Sequence, residues 1–177
     1  KVRQHTFLLR CMPCVNACQQ VSRRDLFVYP SVHPIYGADT WKNPIQYGSI
    51  GPEHDSFVFV SSGEARLQPY RIPLEQPFYR HLFAVESAQT LLSDPMKAFL
   101  AEKRGGLEGF ALAQALAAEV YATMRYTPGS TTLATTASQA FGQRQGVCQD
   151  YAHLLIALCR AAGIPARYAN GFMTGLG

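Results

Sequence analysis

A cysteine stands where a polar loop turns into an apolar helix. Gly142-Gln143-Arg144-Gln145-Gly146 leads into Val147-Cys148-Gln149-Asp150-Tyr151-Ala152-His153. The run through Leu154, Leu155, Ile156, Ala157, Leu158, Ala161 and Ala162 is apolar almost all round, as in a helix buried on every side. Gly163 followed by Pro165 is a stop signal: a left-handed cap glycine, then a residue that cannot continue a helix. Cys148 therefore falls at or just inside a helix start. The first amides of a helix lack an intrahelical acceptor, and their partial positive charge favours an anion. A thiol at such a place ionises more readily, and the thiolate is the nucleophilic form. The same amides can hold the oxyanion that forms when a carbonyl is attacked. Asp150, a carboxylate in the same turn, competes for that dipole. Taken alone, Cys148 is more readily read as a small core residue, because free cysteine is among the most buried residue types and position by itself does not prove reactivity.

The stretch as a whole closely resembles the catalytic segment of the bacterial transglutaminase-like superfamily, whose members are often labelled cysteine proteases. The resemblance rests on Gly146-Val147-Cys148-Gln149-Asp150-Tyr151-Ala152-His153, then on Leu158-Cys159-Arg160-Ala161-Ala162-Gly163-Ile164-Pro165-Ala166-Arg167-Tyr168, then on Gly171-Phe172. These give a G-x-C opening, a buried helix, a G-I-P-A-R turn and a strand. The resemblance implies a papain-like core with a Cys-His-Asp triad, in which Cys148 is the nucleophile and a backbone oxyanion donor. In the family the His and Asp lie downstream of this segment, whereas no His or Asp follows His153 here. His153 lies about 140° around the helix from Cys148, at roughly 100° per residue, and so faces away from the thiol. A satisfied polar contact within the core is its expected role. His5, His33, His54 and His81 lie upstream, and the family pattern brings none of them to Cys148. The chain, opening at Lys1 without Met, is expected to be a fragment lacking the general base, and inactive by itself. Gln139, Gln143 and Gln145 precede the nucleophile, where the likeness to papain-like sites implies a second oxyanion donor. Solvent-facing loop glutamines are the plainer reading of all three.

The elements that position this segment read as α+β. Residues 1–80 form an expected N-terminal β-sandwich-like domain. Strand-like runs at Gln4–Arg10, Gln19–Val21, Leu26–Tyr29, Ile45–Gly48 and Ser56–Val60 are separated by Gly, Pro and Asn turn signals. His5-Thr6-Phe7, Leu8-Leu9-Arg10 and the turn Asp39-Thr40-Trp41-Lys42-Asn43 resemble the β domain that precedes many bacterial transglutaminase-like cores. In that turn Lys42 replaces the family's glycine. A proline-rich linker is expected from about residue 64, where Pro69, Pro73 and Pro77 make the chain extended and semi-rigid. Residues 81–177 read as the helical half of a papain-like, transglutaminase-like core. Ser93-Asp94-Pro95 caps one helix that runs to Gly105-Gly106. Leu112, Leu116, Val120 and Met124 give a second, from Leu107 to about Tyr126, one apolar face, with Glu108 and Glu119 solvated. Thr136 or Ser138 caps a short helix to about Phe141. Ala166 to Phe172 alternates as a strand, and Gly175-Leu176-Gly177 is a frayed end.

Cys11, Cys14 and Cys18, with His5, could be weighed as a metal site. A structural zinc site wants four ligands, usually as two close pairs, and no second C-x-x-C exists here. A cysteine-rich loop without metal is expected, and no cofactor is called for. Hydrophobic residues at 47% and charged residues at 16% argue for a packed core and against disorder. The net charge of +4 is spread out, and no Lys/Arg run exceeds Arg23-Arg24, so neither nucleic acid nor membrane is an expected partner. Five cysteines, no visible signal peptide and no membrane-spanning run suggest a reducing, cytoplasmic setting. The expected activity is cysteine-dependent acyl transfer at an amide bond of a protein or peptide substrate. Peptide or amide hydrolysis comes first, with transamidation as the related outcome. The alternative is a catalytically silent transglutaminase-like scaffold that binds a partner.

Overall fold

The computed structural model describes residues 1–69 and 77–171. The chain divides into two compact units, Lys1–Pro73 and Leu74–Gly177. In the first, β1 (His5–Leu9), β4 (Pro44–Ile50) and β3 (Ile35–Ala38) form an antiparallel sheet in the order β1-β4-β3. β2 (Gln19–Tyr29) and β5 (Val58–Leu67) form a long antiparallel ribbon. Phe7, Leu9 and Ile50 from the sheet and Val28 from the ribbon are buried together, so the two layers share one small core. This is the sandwich-like arrangement expected from the strand-like runs and the turn signals between them.

The boundaries differ from the sequence reading in definite ways. The runs at Gln19 and Leu26 belong to one strand, because a register shift between Val21 and Arg23 absorbs the extra residue as a bulge. Opposite that bulge, a Cβ on Gly63 would lie 2.2 Å from the Arg23 carbonyl oxygen, so only glycine allows the ribbon to close there. β5 continues to Leu67, paired with Gln19, which removes residues 64–67 from the expected linker; residues 70–76 of that stretch lie outside the described part. β3 was hidden between two prolines and has no alternation, every residue being exposed. The Asp39 turn keeps its form without glycine: Lys42 takes φ 62, and Asp39 Oδ1 accepts from the Trp41 and Asn43 amides, both at 2.9 Å.

The second unit is helical: α1 (Pro77–Leu82), a 3-10 turn (Ala88–Thr90), α2 (Asp94–Arg104), α3 (Gly109–Thr123), α4 (Ala137–Gln143) and α5 (Cys148–Ala161). Ser93 is the N-cap of α2 and Gly105 ends it at φ 50, as its flanking residues required. Met96, Leu100, Leu112, Leu116, Val120, Phe141, Leu154 and Leu158 form the core. Leu112, Leu116, Leu154 and Leu158 are 0% exposed, and each such burial contributes about 1.5–3 kcal/mol before the entropy of ordering is subtracted.

α3 is shorter than its apolar pattern. Met124 turns extended, and Arg125–Tyr126 become a short strand, β6, parallel to Gln145–Gly146, β7. Glu119 is paired with Lys103 at 3.1 Å rather than simply solvated. The expected strand over 166–172 does not form among the described residues. The Ala166 N–H is taken by the Phe83 carbonyl at 3.0 Å and its carbonyl by Arg160 Nε at 3.0 Å, so the segment has no ladder. Residues 172–177, with the expected frayed end, lie outside the described part. Among the described residues no helix is long and apolar enough to cross a membrane.

Candidate active site around Cys148

Two structures deliver the backbone to Cys148. α4 is closed by a Thr136 cap, whose hydroxyl accepts from the Gln139 amide at 3.3 Å, and ends in Arg144 at φ 54 with its guanidinium 3.9 Å from the Phe141 ring centroid. β6 then holds β7: the Thr127 amide donates to the Gly146 carbonyl at 2.9 Å and the Arg125 amide to Arg144 at 2.9 Å. Cys148 is the first residue of α5 and is exposed.

The cap of α5 is unusual, because Val147, in extended conformation, has no side-chain acceptor. Asp150 does the work from the third helical position. Its Oδ2 accepts from the Val147 amide at 2.7 Å and from the Thr131 hydroxyl at 2.6 Å. Asp150 is 1% exposed, and its Oδ1 is buried with no hydrogen-bond partner among the described residues. A Cβ on Gly146 would lie 2.6 Å from Asp150 Cβ and Oδ2, so the G-x-C glycine is the space into which this carboxylate fits. The Cys148 and Gln149 amides, at the first helical positions, have no intrahelical acceptor and stay available to an anion.

α5 is not buried on every side. Asp150, Leu154, Ala157 and Leu158 face the core, while Gln149, His153, Ile156 and Arg160 line a concavity of about 430 Å³ with Leu133 and Tyr168. The 3.6-residue periodicity separates the two stripes, and Gln149, His153 and Arg160 give the concave one a polar character that the reading of the run as apolar all round passed over. His153 Nδ1 is buried without a hydrogen-bond partner among the described residues, contrary to the satisfied contact expected of it. Its ring lies 5.4 Å from that of Tyr168. Burial pushes the His153 imidazole below its ordinary pKa, and the Asp150 charge only partly opposes this. At the far end of the helix, burial pushes the Cys159 thiol up. Gly163, at φ 80, closes α5 with Ile164 N–H donating to the Cys159 carbonyl at 2.8 Å.

Residues 91–176 match the model of the transglutaminase-like superfamily. The chain carries a transglutaminase-like superfamily domain. It is 43% identical over 58 residues to an uncharacterized protein of Mycobacterium tuberculosis, a match spanning 33% of this chain and 18% of that protein. An uncharacterized protein of Mycobacterium leprae is 44% identical over 48 residues, which is 27% of this chain and 17% of its own. A crystal structure described as "a Putative Cysteine Protease from Cytophaga hutchinsonii" shares the fold, with a TM-score of 0.76 at 21% identity over 92% of this chain and 60% of the other. Mixed α+β architecture is therefore common to both.

Within the transglutaminase-like domain the three upstream glutamines part company. Gln139 is exposed, and its Oε1 accepts from the Thr136 amide at 2.9 Å in the α4 cap. Gln143 ends α4 in solvent. Gln145, on β7, is half-buried and accepts from Arg125 at 3.3 Å. Among the described residues no hydrogen bond joins any of them to Cys148. Sequence reasoning passed over Gln149, beside Cys148 on the concave stripe, and Thr131, whose role depends on a contact across nineteen positions. In the first unit, Cys11, Cys14 and Cys18 each turn to a separate amide side chain: Gln46 at 3.9 Å, Asn43 at 3.4 Å and Asn16 at 3.0 Å. His5 pairs instead with His54 at 2.8 Å.

Proposed function

We propose that the domain serves cysteine-dependent acyl transfer at an amide carbonyl, with hydrolysis of a protein or peptide amide as the reaction. The observation that supports this most is an exposed Cys148 on the first turn of a rigidly held helix within a transglutaminase-like domain. The Cys148 thiolate attacks the carbonyl carbon, and the oxyanion is received by first-turn amides. The C–N bond breaks, the amine leaves with a proton, and a thioester remains on Cys148. Water releases the acid and restores the thiol; an amine in place of water gives a new amide. The resemblance implies that a histidine oriented by an aspartate moves the protons.

The test is incubation of the longest available form of the protein with a peptide library, with and without a fluorescent primary amine, read by mass spectrometry. Cleaved products that vanish in Cys148→Ala support hydrolysis, and amine adducts would reassign the reaction to transamidation. Neither product, together with an unreactive Cys148, would leave the alternative of a binding scaffold.

A further inference from the structure

We infer that Asp150 is the positioning residue of this site, clamping the Thr131–Thr135 turn and the backbone that carries Cys148 into one body. The inference rests on the reading of Cys148 as nucleophile. An ordinary N-terminal cap would need only one acceptor facing one amide. Here a carboxylate that is 1% exposed spends one oxygen on two donors from different segments, Val147 N–H and Thr131 Oγ.

The turn it holds is already compact. The Thr135 amide donates to the Thr132 carbonyl at 3.0 Å, the Thr132 amide to the Thr135 hydroxyl at 3.0 Å, and Ser130 Oγ to the Thr127 carbonyl at 2.7 Å. Among the described residues the Thr131 hydroxyl makes the hydrogen bond that joins this turn to α5. The turn carries Leu133, which lines the concavity opposite Gln149 and is 85% exposed. Gly146 completes the clamp by leaving open the space that the carboxylate occupies, where a Cβ would lie 2.6 Å from Asp150 Oδ2. Two consequences follow. The first turn of α5 cannot fray, so the amides that favour a thiolate stay in place. The wall of the concavity also keeps a fixed relation to the thiol, as a positioned site requires.

The full chain tests this without any substrate. Cys148 alkylation by iodoacetamide near neutral pH and amide hydrogen exchange are measured for the wild type, Thr131→Val, Thr131→Ser, Asp150→Asn and the double variant Asp150→Asn with Thr131→Val. Thr131→Val keeps the carboxylate and the Val147 bond but removes the tie to the turn. Its alkylation is expected to slow about threefold, the size of a weakened helix-terminus effect, while its unfolding midpoint stays close to wild type. Thr131→Ser, which keeps the hydroxyl, restores the rate. In Asp150→Asn combined with Thr131→Val, the rate is no lower than in the slower single variant, since both break one clamp. In the wild type the Val147 amide and the 131–135 turn exchange with similar protection. A Thr131→Val protein that reacts at the wild-type rate, or a wild-type turn that exchanges far faster than Val147, reduces Asp150 to a helix cap and overturns the inference. The nucleophile reading fails separately, if wild-type Cys148 is as inert as Cys159.

Discussion

Cys148 and Cys159 lie on one helix, the first exposed at its N-terminus and the second 5% exposed near its C-terminus. This pair provides an internal control for thiol reactivity, because burial raises the Cys159 pKa and its apolar neighbours exclude reagent. Peptide mapping after brief iodoacetamide treatment near neutral pH is expected to show Cys148 modified at least about tenfold faster than Cys159. Equal rates would mean that the helix start confers neither access nor activation.

Replacing Cys148 by alanine separates a functional thiol from a packing one. The side chain is exposed, and surface substitutions away from caps and cores usually change stability by about 0.5 kcal/mol or less. Leu158, 0% exposed on the same helix, is the contrast: Leu158→Ala should cost about 2–5 kcal/mol. Urea denaturation should therefore leave Cys148→Ala at the wild-type midpoint and move Leu158→Ala far to lower urea. Any form of the protein that turns over an amide should lose that turnover in Cys148→Ala. A midpoint loss for Cys148→Ala comparable to that of Leu158→Ala would make the thiol a core residue.

The helices and their caps were legible because local signals decide them. Ser93 with Pro95, Thr136, Gly105 and Gly163 each act within a turn of their own positions. Local signals likewise located Cys148 at the start of α5. What escaped the sequence depended on partners far along the chain. β6 and β7 exist only because Arg125 meets Gln145 and Tyr126 meets Gly146. Thr131 gains its role from Asp150, and the stripe of α5 that Gln149, His153 and Arg160 mark as polar becomes one wall of a concavity only because Leu133 and Tyr168, from elsewhere in the chain, line it too. The expected strand after Pro165 failed for the same reason, since alternation marks a possible strand and only a neighbour makes it one.

Gly146→Ala probes the fit between the loop and Asp150. The glycine is not required for a left-handed backbone; it is required because a Cβ would stand 2.6 Å from Asp150 Cβ and Oδ2. The added methyl must displace the carboxylate from the Val147 amide or shift β7 from β6. Overpacking of this kind costs about 1–3 kcal/mol. A lowered unfolding midpoint and a faster-exchanging Val147 amide are the expected outcomes. A variant as stable as wild type, with Val147 still protected, would show that the carboxylate is not wedged against this loop.

The first unit carries a pH dependence of its own. Hydrogen bonds from Asn43, followed by those from Arg10 and Trp41, hold the Asp39 carboxyl at about 2, below its ordinary 3.8. A group whose pKa is depressed on folding contributes stability above its unfolded pKa and loses it as pH falls towards the folded value. The Asp39 contribution is therefore complete above about pH 4 and is lost between about pH 4 and pH 2. Glu53, depressed by Arg3 and then Lys1, changes stability in the same direction, so the comparison must be between wild type and Asp39→Asn. The one tryptophan, Trp41, sits in the same turn with its amide on Asp39, and its fluorescence reports this unit. Urea midpoints followed by Trp41 should fall more steeply for wild type than for Asp39→Asn on acidification through this range, and the two curves should converge near pH 2. Parallel curves would show that the turn does not depend on the charge of Asp39, and that Lys42 at positive φ is held by the surrounding strands alone.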